Sequence, residues 1–286
     1  MQIGVILIGG SIKGLYGHAG VIKALDELKI KPTAVLGASA GSVVGSLYVT
    51  GFSPNRIYET ILDLKPSDYL DPIHYLQILI EFVVKKGHHF TGLVSGDKLE
   101  KFVRDELKGK DDFSKTDMPF YVAATNLNTC KIKLFKDGKI SEKVRASTSI
   151  PMLFKPKKIH GEYYADGAFS LDKLPDELLK RYPYLDLLII SNFSRESFDT
   201  SNDYLENSKL PIMEIMRRMM KCAEHKFLEE MVSDTKIIQI NPYIPDKLDI
   251  FHTDSKKAEH VYNEAYKIAK YQLKRDFKKH GFSCNE

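Results

Sequence analysis

Thr33-Ala34-Val35-Leu36-Gly37-Ala38-Ser39-Ala40-Gly41-Ser42-Val43-Val44 is the stretch that decides the fold. Residues 33–37 read as a short buried strand, an apolar run that stops at a glycine. Residues 40–49 read as a helix. Between them, Gly37, Ser39 and Gly41 match the pattern GxSxG. A tight strand-to-helix turn lifts a serine hydroxyl above the sheet edge, and small neighbours let the backbone make that turn. The helix that starts after Ser39 points its N-terminus at the hydroxyl, which favours developing negative charge. Gly, Ala and Ser are common, so the pattern alone is weak. The strand-turn-helix setting is what makes Ser39 a candidate nucleophile rather than a packing turn.

Upstream, residues 3–8 form a second short apolar run, ending in Gly9-Gly10. A helix follows, with Val21, Ile22, Leu25 and Leu28 as its apolar stripe, and Pro32 punctuates before the next strand. Strand-helix-strand-helix order implies a parallel sheet with helices on its faces. The expected fold class is therefore α/β, three layers (α/β/α) around a mainly parallel central sheet. The turn Gly9-Gly10-Ser11-Ile12-Lys13-Gly14 leaves backbone N–H groups exposed. Such a turn serves either as an oxyanion hole or as a phosphate cradle. A dinucleotide site expects a carboxylate at the end of the second strand, where this chain has Gly37-Ala38-Ser39; the Walker pattern is also unmatched. The pairing of the two glycine motifs favours acyl chemistry.

Downstream, residues 54–107 read as mainly helical, broken by Pro66, Pro72, Gly87 and Gly92. Residues 119–124 and 131–135 read as strands, and 142–149 as a short helix stopping before Pro151. Residues 163–165 read as a strand leading into Asp166-Gly167-Ala168, where the aspartate is either a base or a turn former. Residues 186–190 are a strongly apolar strand candidate. Residues 193–208 are polar, a loop or a cover. Residues 209–232 read as a long helix carrying Met213, Met216, Met219, Met220 and Met231, either core or an adaptable acyl-binding wall. A strand at 236–240 and a final helix from 252 complete the chain. The 286 residues are expected to form one domain, with the motifs between about 4 and 175 and a helical extension or cover over 193–286.

Composition narrows the function classes. The net charge is +4, too small an excess for a nucleic-acid binder, though it suits an anionic membrane surface. Lys85-Lys86 and residues 155–158 are the basic patches that could meet headgroups. Cys130, Cys222 and Cys284 form no disulfide or metal spacing, and reduced thiols in the cytoplasm are expected. No histidine pair has metal-ligand spacing, so no metal and no cofactor are expected. No stretch approaches the roughly 18–20 apolar residues of a membrane span. Contact with lipid is expected at the membrane periphery.

The order of the motifs resembles the patatin-like phospholipase family. Gly9-Gly10-Ser11-Ile12-Lys13-Gly14 is similar to its GGGx[RK]G loop, and Gly20-Val21-Ile22-Lys23-Ala24-Leu25 to its GVLxAL helix. Ala146-Ser147-Thr148-Ser149-Ile150-Pro151 resembles its ASxSxP segment. Asp166-Gly167-Ala168 with Leu174-Pro175 resembles its DG[GA] region and trailing LP. The resemblance implies a histidine-free Ser39–Asp166 dyad, with Gly9, Gly10, Ser11 and Gly14 as the oxyanion hole. It implies supporting roles for Gly37, Gly41, Gly167 and Ala168, and a lipid or acyl-ester substrate. Ser11 departs from the third glycine of the loop. The stretch from Asp166 to Pro175 is one residue longer than usual, and Lys173 stands where Asn is common. Rival readings are a triad using His18, His88, His89 or His160, a catalytically weak regulatory or lipid-binding module, and a nucleotide-binding protein. The oligomeric state stays open.

Overall fold

The computed structural model describes residues 1–74, 78–80, 83–84, 90–167, 173–193, 235–246, 248, 250–251 and 254–282. The chain starts with β1 (Ile3–Ile8), α1 (Ser11–Glu27), β2 (Ala34–Ala38) and α2 (Ala40–Val49). α3 (Pro54–Leu62), a single turn α4 (Pro66–Tyr69) and α5 (Asp97–Leu107) follow. β3 (Phe120–Asn126) and β4 (Lys131–Phe135) come next, then α6 (Ile140–Ser147), β5 (Lys157–Ile159) and β6 (Glu162–Asp166). α7 (Leu174–Arg181), β7 (Leu187–Asn192), β8 (Lys236–Ile240) and α8 (Ser255–Lys279) complete it. The expected strands and their order are present. The expected helix over 142–149 sits two residues earlier. Residues 90–96, expected within a mainly helical stretch, are extended in part, with Val94 bridging Phe154.

The sheet runs β5-β6-β3-β2-β1-β7-β8, with β4 also on β3. β3, β2, β1, β7 and β8 are mutually parallel, while β4 and β6 run antiparallel to β3. Every residue of β1 and β2 is buried, because helices cover both faces. Alternate residues feed the two cores, as a period of two requires. Val5, Leu7 and Val35 join the large core under α1, α2, α3, α5 and α8, while Ile6, Ile8 and Leu36 face Leu174 and Leu178 of α7. The layers are therefore α/β/α. β8 extends the sheet beyond β7, and α8 lies along α1, the two helices closing where Gly20 meets the Tyr262 carbonyl.

The register at β3 fixes the centre of the molecule. β2 pairs with Phe120 to Ala123, ending with Ala38 opposite Ala123. β4 pairs with Val122 to Asn126 and so occupies the other edge. β6 pairs with Ala124 to Asn126, ending with Asp166 opposite Ala124. β2 and β6 thus share one edge of β3 and meet end to end. The residue after β2 and the last residue of β6 are brought together by neighbouring rungs of one strand.

α2 leaves this junction by running back beneath β1. A Cβ on Gly41 would lie 2.1 Å from the Leu7 carbonyl oxygen, so only glycine admits this approach. In an ordinary helix, Gly→Ala gains about 1 kcal/mol of propensity. Here the clash is with backbone, which cannot rotate away, and overpacking of this kind costs about 3 kcal/mol. Gly41→Ala should therefore destabilise the protein by about 2 kcal/mol net in urea unfolding. A stabilised variant would contradict the packing of α2 on β1.

Candidate active site

Ser39 occupies the N-cap of α2 with φ 54° and ψ −128°, a conformation that ordinary L-residues avoid. Strain of this kind, of order 1–3 kcal/mol, persists only where the surroundings fix it. Here they do. The Ser39 N–H donates to Ser147 Oγ at 2.9 Å, and Ser147 Oγ donates to the Ala123 carbonyl at 2.6 Å. The Ser39 carbonyl accepts from the Ser42 N–H at 2.8 Å and from Ser42 Oγ at 2.6 Å. Ser39 Oγ is left to donate to Asp166 Oδ2 at 2.7 Å. Both residues are buried, Ser39 at 5% and Asp166 at 1% exposure.

Asp166 is held as firmly. Its N–H donates to the Ser149 carbonyl at 3.0 Å, and its carbonyl accepts from Thr125 Oγ1 at 2.9 Å. The segment after α6 therefore grips both partners: Ser147 holds the backbone of Ser39, and Ser149 holds that of Asp166. Neither serine was assigned a role from sequence, although both lie in the motif segment 146–151. Arg145 anchors that segment. Its guanidinium donates to Ser149 Oγ at 2.6 Å, to the Lys155 carbonyl at 2.7 Å and to the Ser95 carbonyl. Burial pushes the Arg145 pKa down to about 10, against the opposing pull of Glu100, Asp97 and Asp71; it stays charged at neutral pH. Gly167 lies next to the junction, facing the Ala123 carbonyl.

The glycine turn lies beside this junction. Gly9, Gly10 and Ser11 all have positive φ, at 58°, 93° and 49°. Ser11 thus adopts the left-handed backbone that its departure from glycine had put in question. α1 begins at Ser11, so residues 11–14 are its first turn rather than loop. This changes the duties within the expected oxyanion set. The Gly9 N–H donates to the Ala38 carbonyl at 3.1 Å, and the Gly14 N–H to the Gly10 carbonyl at 2.7 Å. Gly9 and Gly14 shape the turn. Gly10, the N-cap, and Ser11, the first helical residue, carry N–H groups without an intrahelical acceptor.

The family model for the patatin-like phospholipases matches residues 5–179, from β1 through the glycine turn, Ser39 and Asp166 to α7. The chain belongs to the patatin-like phospholipase family. Patatin-like phospholipase domain-containing protein 6 of Mus musculus is 24% identical over 94% of this chain and 20% of its own length. Probable lipid hydrolase 463L of Invertebrate iridescent virus 6 is 28% identical over 57% of this chain and 58% of its own. The chain thus spans about a fifth of the mouse relative. Among solved structures, VipD from Legionella pneumophila aligns with a TM-score of 0.48 at 17% identity, over 96% of this chain and 67% of that one.

In this patatin-like chain an open cleft leads to Ser39. Its walls are almost wholly apolar, with Ile12 and Leu15 from α1, Val43 from α2, Leu99 from α5, and Ile150, Phe154 and Ile250. Ser11 and Thr148 supply the polar rim. Among the described residues no group of three His, Cys, Asp or Glu side chains could hold a metal ion. No helix among them is long and apolar enough to cross a membrane.

Several sequence candidates lie elsewhere. Lys13 is buried and donates to the Ile244 carbonyl, so it does not face solvent. His160 and Gly161, both with positive φ, form the two-residue turn between β5 and β6, at the end of β6 away from Asp166. Lys157 pairs with Glu100, while Lys155 and Lys158 are exposed. His88, His89, Lys85, Lys86, Ala168, Cys222, Cys284 and the methionine-bearing stretch 209–232 lie outside the described residues. His18 is fully buried behind the glycine turn, with Nδ1 2.9 Å from Ser191 Oγ and Nε2 3.2 Å from the Gly9 carbonyl oxygen. It touches neither Ser39 nor Asp166 through these bonds. Burial pulls its pKa from 6.5 down to about 4, partly offset by the Gly9 and Ile8 carbonyls.

Two outcomes follow from this geometry. Ser147→Ala leaves a buried N–H and a buried carbonyl unpaired, each costing about 1–3 kcal/mol. The variant should lose at least about 2 kcal/mol in urea unfolding, and a neutral result would contradict the bridge. For His18, the folded pKa is depressed, so its stabilisation is present above pH 6.5 and is lost as pH falls toward 4. By pH 4.5 this group alone should remove about 2–3 kcal/mol of the stability present at pH 7.5. His18→Gln should show a correspondingly shallower fall. Equal falls in both proteins would exclude a buried neutral imidazole.

Proposed function

We propose that this chain is a lipid acyl hydrolase, of phospholipase A or esterase type, working through a Ser39–Asp166 dyad in a single patatin-like domain. The observation that carries the reading is the 2.7 Å hydrogen bond from Ser39 Oγ to Asp166 Oδ2 at the head of an open apolar cleft. Membership of the patatin-like phospholipase family supports it. The name of the viral relative, probable lipid hydrolase 463L, points the same way.

The chemistry follows from the placement of the groups. A fatty acyl chain lies along the apolar walls, and its ester carbonyl reaches Ser39. Ser39 Oγ attacks the carbonyl carbon while its proton passes to Asp166, to which it is already hydrogen-bonded. The N–H groups of Gly10 and Ser11 receive the developing oxyanion, and the N-terminus of α2 adds its positive dipole end. The tetrahedral species collapses, the alcohol leaves with the proton from Asp166, and an acyl-enzyme remains. Water then attacks that ester, giving a proton to Asp166; Asp166 passes this proton to Ser39 Oγ as the acyl bond breaks, which releases the fatty acid and restores the free serine. The substrate expected from the cleft is a phospholipid or other acyl ester presented at a lipid surface.

A fluorophosphonate probe should label the wild-type protein and fail to label Ser39→Ala. Hydrolysis of short- and long-chain acyl esters should vanish in Ser39→Ala and fall by about 10²–10⁴ in Asp166→Asn, the usual worth of a general base. Near-full activity in Asp166→Asn would exclude the dyad. An unlabelled, inactive wild type that still binds acyl chains would instead leave a lipid-binding or regulatory module.

A further inference from the structure

We infer that His18 is a positioning residue for the oxyanion hole, acting as a neutral imidazole through the Gly9–Gly10 peptide. The inference rests on the acyl-hydrolase reading above and adds a residue that lies outside the dyad and the glycine turn.

The partners of the ring decide its tautomer. Nε2 faces the Gly9 carbonyl, which can only accept, so Nε2 carries the proton. Neutral Nδ1 then accepts from Ser191 Oγ, which lies on β7 next to β1. The depressed pKa agrees with a neutral ring. Phe193 packs edge-on against the imidazole, with centroids 4.9 Å apart, and closes the far side of the turn. A Cβ on Gly10 would lie 2.5 Å from the Phe193 Cβ, so the turn is clamped between Phe193 and α1.

The Gly9 carbonyl and the Gly10 N–H belong to one planar trans peptide. In such a unit the two bonds point in opposite directions. A donor that holds the carbonyl therefore sets where the N–H is aimed. His18 pulls the Gly9 oxygen toward the interior between α1 and β7, which turns the Gly10 N–H away from the imidazole. The Gly9 N–H is fixed to the Ala38 carbonyl, one residue before Ser39. The chain Ser191–His18–Gly9–Ala38 thus ties the orientation of the oxyanion donor to the backbone that carries the nucleophile. Phe193 and α1 limit the space of the turn, but with glycine on both sides of the peptide and no donor on the Gly9 oxygen, a small tilt of the Gly10 N–H meets little resistance.

The experiment compares wild type, His18→Leu, His18→Gln and Ser191→Ala. The readouts are kcat and KM for a soluble p-nitrophenyl acyl ester and the rate of fluorophosphonate labelling. Leu fills the space without donating; Gln presents an amide N–H near the reach of Nε2. Losing one well-aimed oxyanion donor costs on the order of 10²-fold in kcat. His18→Leu should lower kcat and the labelling rate by roughly tenfold or more, with KM within about twofold of wild type. His18→Gln should recover most of that loss. Ser191→Ala removes the hydroxyl that anchors the ring through Nδ1 while Nε2–H still faces the carbonyl, so the loosened ring should lower kcat by a smaller factor than His18→Leu, with KM unchanged; it carries the test should His18→Leu not fold. Unchanged kcat and labelling in Ser191→Ala and in folded His18→Leu would overturn the inference. So would a loss in His18→Leu that His18→Gln does not recover. A wild type that neither labels nor turns over would overturn the serine-hydrolase reading itself, a different failure from labelled wild type with unaffected variants.

Discussion

One edge of β3 serves two strands, and the rest of the site depends on that arrangement. β2 ends opposite Ala123 and β6 ends opposite Ala124, so their ends face each other across a single step of the ladder. Residues 39 and 166 are 127 apart in the chain. Backbone pairing, not side-chain attraction, brings them to hydrogen-bond distance. The mixed character of the sheet has its reason here: a strand parallel to β3 and one antiparallel to it are needed for two ends to meet head on. The parallel part supplies the turn and the helix N-terminus; the antiparallel part delivers the carboxylate.

The junction leaves backbone groups that no ladder partner can reach, and residues 145–149 satisfy them. Ser147 bridges the Ser39 N–H to the Ala123 carbonyl, and the Ser149 carbonyl takes the Asp166 N–H. A buried polar group left unpaired costs about 1–3 kcal/mol, so these bonds are obligatory rather than decorative. They also explain how Ser39 is kept at φ 54°. Arg145, buried and bonded to three separate stretches of chain, fixes the segment in turn. The Phe154 wall of the cleft lies beneath its guanidinium, so support of the Ser39–Asp166 contact and shape of the cleft are coupled.

The glycine turn shows where the reading of motifs by spacing was coarse. The resemblance implies Gly9, Gly10, Ser11 and Gly14 for the oxyanion hole, with the donors around Gly10 and Ser11. Hydrogen bonding separates them, since the N–H groups of Gly9 and Gly14 already have acceptors and those of Gly10 and Ser11 stand at the helix start. A Cβ on Gly14 would lie 2.1 Å from the Gly9 carbonyl oxygen, which is a packing reason for glycine there. His18, a candidate for the rival triad, is bonded instead to the turn itself. A lone histidine on a helix carries no sequence signal for that contact, because the partner is a backbone atom.

The sequence by itself determined the layered α/β fold and the strand order along the chain; the link between the serine turn and the distant Asp-Gly motif came only from the resemblance of the ordered motifs to the family. The fold and the strand order are legible because apolar period, glycine placement and strand-helix alternation are local properties. It also carried the family membership, since the motifs are short and ordered. Only the tertiary structure decided that β2 and β6 abut on β3, that Ser147 and Ser149 hold the two partners, and that Lys13 and His18 point inward. Register and burial are relations between segments far apart in the chain, and periodicity within one segment does not encode which carbonyl a side chain will meet.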